Sequence, residues 1–183
     1  MLNRKALELW PSGLPKRPLS LAQLAIHLSD RYDQLGAARD LDEAIVLERE
    51  ALDIHLQGHP DRSMSLNNLA VHLFSRYNQL GAMEDVDVAI ALDREALDLC
   101  PQGHPDRPLS LNNLAVHLSA RYDQLGATED TDEAIVFARE ALDLRPRGHP
   151  LRSKSLNNLA DGLSTWYNQL VAMVDLDEAI VLA

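Results

Sequence analysis

Apolar and polar positions along the chain repeat on two scales. On the short scale, Leu66, Leu69, Ala70, Leu73, Tyr77 and Leu80 follow at intervals of three and four, the spacing that places side chains on one face of an α-helix. Gly81 interrupts the pattern with a helix stop, and a second stripe of Val86, Ala89, Ile90, Ala96 and Leu97 starts near Asp85 and ends at Gly103. On the long scale the arrangement recurs. Gly-His-Pro stands at 58–60, 103–105 and 148–150, a period of 45 residues, with Gly13-Leu14-Pro15 as a weaker copy one period earlier. Residues 63–107 match residues 108–152 at 31 of 45 positions, as expected of a recent duplication. The pattern predicts two helices per unit and no strand. The expected fold is all-α, with helix–turn–helix units burying their stripes against one another in a solenoid. The expected division is one array over 1–183: a partial helix 1–12, units 18–62, 63–107 and 108–152, and a truncated unit 153–183.

The punctuation predicts boundaries. Asp-x-Asp-Glu at 40–43, 130–133 and 175–178 is a capping-box-like start for the second helix, with acid at the positive end of the helix dipole; only the unit with Val88 lacks the final Glu. Pro60, Pro105 and Pro150 suit a turn or a first helical residue. Pro18 and Pro108 disfavour helix for the residue before them, so those two first helices are expected to begin about three residues later than their counterparts at Ser63 and Ser153.

His104-Pro105-Asp106 followed by Leu111-Asn112-Asn113-Leu114-Ala115, repeated at a fixed period, resembles a tetratricopeptide-repeat array of the lengthened kind found in kinesin light chains and related multidomain signalling proteins. In the third unit Leu111 stands at the family's Trp position, Leu114-Ala115 at its Leu-Gly pair, Leu118 at its Tyr, Ala134 and Ala141 at its small residues, and Pro146 at its final Pro. The family's unit is about 34 residues long. The surplus here lies between Ala115 and Ala134, in the Arg-Tyr-x-Gln-Leu-Gly segment that should lengthen the first helix, and between Pro146 and Leu159. The bulky apolar residue of the family's second helix is replaced by Glu48, Asp93 and Ala138. The resemblance implies a right-handed superhelix whose first helices line a concave, peptide-binding surface. Such arrays often sit beside a nucleotide-binding switch or a caspase-like CHAT protease domain, so a regulatory arm of a larger protein is a second reading.

Met1 aligns with Val46 and Ala183 with the position of Glu48, so the repeat frame starts and stops inside a second helix. An array cut there exposes apolar faces. The expectations are a segment of a longer array or, alternatively, self-association through the uncapped ends.

Composition narrows the partners. A net charge of -11 and a pI near 4.9 disfavour nucleic acid and anionic membrane as partners and favour a neutral or basic protein or peptide. Cys100 is the only cysteine, which rules out an internal disulfide and a cysteine-built zinc site. No apolar run suits a secretory signal or a membrane span, so the expected location is cytoplasmic.

Chemistry of its own is not expected. His27, His72 and His117 recur in the first helix, and His59, His104 and His149 in the turn. Equivalent histidines are separated by about 10 Å, one helix diameter, too far to share an ion, so they read as structural. Cys100 has Trp10, His55 and Arg145 as equivalents, a variable boundary position rather than a nucleophile. No phosphate-cradling loop occurs, and neither an active site nor a cofactor is expected.

The asparagine pairs raise a sharper question, because Asn is a mediocre helix former. On a helical wheel Asn67, Val71, Phe74 and Asn78 form a row beside the core stripe, matched by Asn112, Val116, Ser119 and Asp123, and by Asn157, Asp161, Ser164 and Asn168. The degenerate first unit has Ala22, Ile26, Ser29 and Asp33. If this row faces the groove, the first Asn of each pair forms an amide ladder for the backbone of an extended peptide, with Phe74, Ser119, Ser164 and the flanking Arg76 and Arg121 setting specificity. The competing reading is that the amides fix stacking, which is favoured for Asn68, Asn113 and Asn158. Trp166, where other units have Arg31, Arg76 and Arg121, is either a groove anchor or a cap. The expected function is a protein-interaction scaffold.

Overall fold

A computed structural model describes the backbone of residues 17–182 and the side chains of residues 17–171. Seven helices follow in order among the described residues: α1 (Arg17–Leu35), α2 (Ala38–Ile54), α3 (Arg62–Leu80), α4 (Met83–Asp98), α5 (Arg107–Leu125), α6 (Thr128–Asp143) and α7 (Arg152–Leu182). No strand occurs among the described residues. The partial helix expected over 1–12 lies outside them.

The chain divides into two compact units, Met1–Asp106 and Arg107–Ala183. In the first, consecutive helices pack in pairs and α1 also touches α3. The core lies on both sides of α2. Ala44 meets Leu24, Ala25 and Leu28 of α1, whereas Leu41 and Ile45 meet Leu69, Ala70 and Leu73 of α3 and Ala89 of α4. Burying each such Leu or Ile is worth about 1.5–3 kcal/mol. In the second unit α5, α6 and α7 pack consecutively and α5 also touches α7. Leu111, Leu114 and Leu118 are fully buried there. Gly162 lets α7 approach closely, since a Cβ at that position would lie 3.2 Å from Cγ1 of Ile135.

The glycine stops are as expected. Gly36, Gly81 and Gly126 have φ of 68°, 69° and 69°, a left-handed conformation that a Cβ disfavours, and α1, α3 and α5 end just before them. Other boundaries differ. α4 starts at Met83, two residues before Asp85, and ends at Asp98, short of Gly103. Ala37, Ala82 and Ala127 occupy the N-cap positions and make no side-chain cap bond, so the expected capping box is corrected. Asp40, Asp85 and Asp130 lie in the first turn instead, where dipole stabilisation survives, and their carboxylates are taken by arginines.

The delay assigned to Pro18 and Pro108 is also corrected, because all four first helices begin at the equivalent Arg17, Arg62, Arg107 and Arg152. Proline in the first turn has no helical acceptor to lose. The fourth unit departs most. A second helix was expected from 175–178, but Val171 replaces the stop glycine and α7 runs unbroken for 31 residues.

Candidate functional site

Two arginine clasps recur and fix the geometry of each helix pair. The first spans the glycine turn: Arg31 donates to both oxygens of Asp40 at 2.5 Å, Arg76 to both of Asp85 at 2.7 Å, and Arg121 to Asp130 at 2.7 and 2.8 Å. Such paired donors match a carboxylate in direction as well as charge. The second joins the start of a first helix to the end of the second: Arg17 to Glu50, Arg62 to Glu95 and Arg107 to Glu140. Arg62 also donates to the carbonyl of His55 at 2.7 Å, and Arg152 to those of Leu142 and Arg145, covering exposed helix ends. Arg76 and Arg121, expected to flank a groove, are therefore committed to these clasps.

Asn112 lies in a polar seam between α5 and α7, and Asn67 is buried on α3. Asn67 and Asn112 are each only 1% exposed, which corrects the expectation that they face an open groove. Asn67 donates to the Ser63 carbonyl at 2.9 Å, and Asn112 to the Pro108 carbonyl at 2.8 Å and to Ser155 Oγ at 3.2 Å. Asn157 is exposed. The stacking expectation holds for two of the second asparagines: Asn158 donates to Asn112 Oδ1 at 3.0 Å, and Asn68 to Glu48 Oε1 at 3.2 Å. Asn113 is buried.

These two contacts are alternatives to one another. One period before Asn67 stands Ala22, which has no acceptor for Asn68, and there Glu48 supplies one. The position equivalent to Glu48 beneath Asn158 is Ala138, and there Asn112 is the acceptor. The half-buried Asn68 and Asn158 thus each keep a partner, whereas the Nδ2 of the buried Asn113 has none. Glu48 is fully buried with Oε2 unpartnered, and burial raises its pKa to about 7 against the opposing hydrogen bond from Asn68.

The rest of the expected row is mixed. Val71, Asn78, Asp123, Asp161, Ser164 and Asn168 are exposed, whereas Phe74, Val116 and Ser119 are half-buried. Phe74 stacks on Tyr77 with centroids 5.7 Å apart, and the Ser119 hydroxyl donates to the Ala115 carbonyl. Trp166 is exposed beside a groove of about 380 Å³ shared with Ile135, Val136 and Leu163.

A pocket of about 210 Å³ opens between α1 and α3 in the first unit, and sequence reasoning missed it. Its walls are Leu19, Ala22 and Met64, and its polar rim is His55, His59, Asp61 and Asn68. Leu19 and Met64 are 60% and 48% exposed, and Ile26 and Val71, two helical turns further on, are 44% and 40% exposed. The corresponding place in the second unit holds larger groups. Asn112 replaces Ala22, and Arg145 replaces His55 and reaches both Ser155 Oγ and the Pro108 carbonyl. The signal in the sequence was the coincidence of the small Ala22 with the exceptional His55.

His55, His59 and Asp61 are also the group among the described residues whose ligand atoms, all within 4.8 Å, approach what a cation requires. Comparing histidines between repeats overlooked this pair within one repeat. The rings stack at 4.2 Å and 22°, so their in-plane lone pairs run nearly parallel instead of converging. His55 Nδ1 is bonded to Ser65 Oγ at 2.8 Å, and His59 Nδ1 accepts the Asp61 N–H at 3.2 Å. The latter bond recurs at His104 and His149, which identifies it as part of the turn. Burial and the neighbouring His59 lower the His55 pKa, against the pull of Asp61.

Compared with family models and with curated proteins, the chain matches none of either. No described helix is long and apolar enough to cross a membrane.

Proposed function

We propose that this chain is an array of lengthened tetratricopeptide-like units, continuing as a right-handed superhelical solenoid, and that it acts as a cytoplasmic protein-interaction scaffold with no chemistry of its own. The observation that carries this reading is the pocket between α1 and α3. It is concave and apolar-walled with a few polar groups on its rim, which is the usual composition of a recognition site. An apolar side chain of an extended partner segment fits between Leu19 and Met64. The partner's adjacent polar or basic groups then meet Asp61, His59 and the Asn68 amide. A neutral or basic segment also suits the net charge of -11.

In this proposal the amide ladder is replaced as the recognition element, because Asn67 and Asn112 are engaged within the fold. Recognition moves to the apolar ridge of Leu19, Ile26, Met64 and Val71, whose exposed side chains gain by leaving water on contact with an apolar partner. A random peptide display library selected on the folded chain tests this. The reading expects selected peptides to share an apolar anchor and to lose binding to Met64→Asp and to Ala22→Phe, which fills the pocket. Val136→Asp, on the exposed face of α6, should bind them unchanged. Peptides that bind Met64→Asp and Ala22→Phe as well as wild type would refute the assignment.

A further inference from the structure

One carboxylate of the repeat meets different company in the two compact units. In the first, Asp42 of α2 accepts from Arg76 of α3 at 3.3 Å, and the same guanidinium holds Asp85 at 2.7 Å. Two periods later the carboxylate is kept as Asp132 on α6, but the arginine has become Trp166 on α7. An indole has no positive charge to offer Asp132.

Asp132 and Trp166 share the groove of about 380 Å³ whose other walls are Ile135, Val136, Leu163 and Arg139. Positions 132, 135, 136 and 139 fall on one face of α6, and 163 and 166 on one face of α7. Two contacts hold the helices in this register. Gln169 donates to Thr131 Oγ1 at 2.9 Å, and Gly162 brings α7 against Ile135. Trp166 is therefore at the Asp132 end of the groove, and Arg139 stands two helical turns away, about 10 Å along the axis. The floor is open: Trp166 and Leu163 are 42% and 37% exposed, against 1% for Leu73, which holds the place of Leu163 on α3.

We propose that this groove takes an arginine side chain of a partner protein, with its guanidinium on the face of Trp166 and its N–H groups donating to the Asp132 carboxylate. The partner thus supplies to Asp132 what Arg76 supplies to Asp42 within the chain. An exposed ion pair alone is worth little, and here two further contacts add to it. Trp is the strongest of the aromatic faces for a cation, and a planar guanidinium both stacks on the ring and pairs with a carboxylate. The methylene stem lies along Leu163 and Val136. Arg139 repels a cation from the far end, so the charge is directed to Asp132. The groove shares no residue with the α1–α3 pocket, so it stands or falls independently of that site. One side chain binds with a dissociation constant on the order of 1 mM, too weak to be recovered by display, so the two tests do not overlap.

Titration of Nα-acetyl-arginine methylamide into the isotope-labelled chain, followed by NMR, tests the proposal. The Trp166 indole N–H signal, assigned by its loss in Trp166→Phe, should shift saturably. The neutral isostere Nα-acetyl-citrulline methylamide should leave it in place over the same range. Asp132→Asn should weaken arginine binding about fivefold, whereas Asp42→Asn, where the chain already supplies Arg76, should change nothing. In Trp166→Arg the chain provides its own guanidinium, and the ligand should no longer shift the backbone amides of 132–139. Asp132 and Trp166 are exposed, and circular dichroism verifies that each variant stays folded. Equal shifts with citrulline, full affinity in Asp132→Asn, shifts retained in Trp166→Arg, or no shift of the wild-type indole at ten times the expected dissociation constant would each overturn the proposal.

Discussion

Glu48 is a carboxyl in the wrong place for an ion, and its effect on stability should be visible in a pH series. It has no exposed surface, one oxygen accepts from Asn68 and the other has no partner. Burial lifts its pKa from 4.5 to about 7. Over that interval the folded state holds a proton that the unfolded state has released, so stability falls as pH rises from about 4.5 through 7, and the full penalty is present above. At 1.36 kcal/mol per unit, the gap corresponds to roughly 3 kcal/mol. Glu48→Gln keeps a carbonyl oxygen for Asn68 but cannot ionise. The variant should therefore match wild type near pH 4.5 and exceed it by about 3 kcal/mol near pH 8. Urea denaturation followed by far-UV circular dichroism measures the difference, and taking the difference cancels the other titrating groups. A gain that does not vary with pH, or one confined to acid, would refute the reasoning.

Two further predictions follow from the same seams. His72 is 3% exposed, and burial lowers its pKa to about 4 against the attraction of Asp33; it stays neutral in the fold, and its contribution to stability, complete above about pH 6.5, is lost as pH falls through 4. An imidazole titration by NMR should show this low midpoint, and an ordinary one would contradict the burial. Asn112→Ala removes the acceptor of the half-buried Asn158 and should cost about 1 kcal/mol, the net worth of the lost hydrogen bond. Adding Ala138→Glu installs the arrangement of the first unit, so denaturation should show the double variant less destabilised than the sum of the two single ones.

The helices were legible because their signals are local. Apolar residues at three and four, closed by Gly36, Gly81 and Gly126, leave the backbone little choice, and α1, α3 and α5 end where the pattern says. The errors came where one local rule met a stronger partner. Asp85 has the composition of a cap, yet a bidentate arginine nine residues earlier in the chain is a better ligand than three backbone amides, so the carboxylate turned to Arg76. Pro108 was weighed by what it forbids the preceding residue. In a first turn that restriction costs little, and Arg107 is helical. Val171 was visible in the sequence all along. Its meaning required seeing that Gly81 and the Arg76 clasp act together, and that the fourth unit lost both members.

The site was harder to read because a helical wheel ranks rows by angle and knows nothing of the neighbouring helix. Asn112 lies beside the core stripe, an angular position that is open on a single helix and closed once α7 stacks against it, and Asn67 at the equivalent position is buried too. A side chain there needs a partner inside the fold, and Asn68 and Asn158 beside it find theirs in different ways, while the buried Asn113 Nδ2 has none. Where Ala22 removes the amide acceptor, Glu48 appears, and where Asn112 restores it, Ala138 follows. The exchange leaves a physical trace. The seam filled by Asn112 and Arg145 in the second unit becomes, with Ala22 and His55, the pocket of the first. Divergence between duplicated units thus opened a cavity between α1 and α3 while the amide donors of Asn68 and Asn158 kept partners, and the proposed recognition site is that cavity.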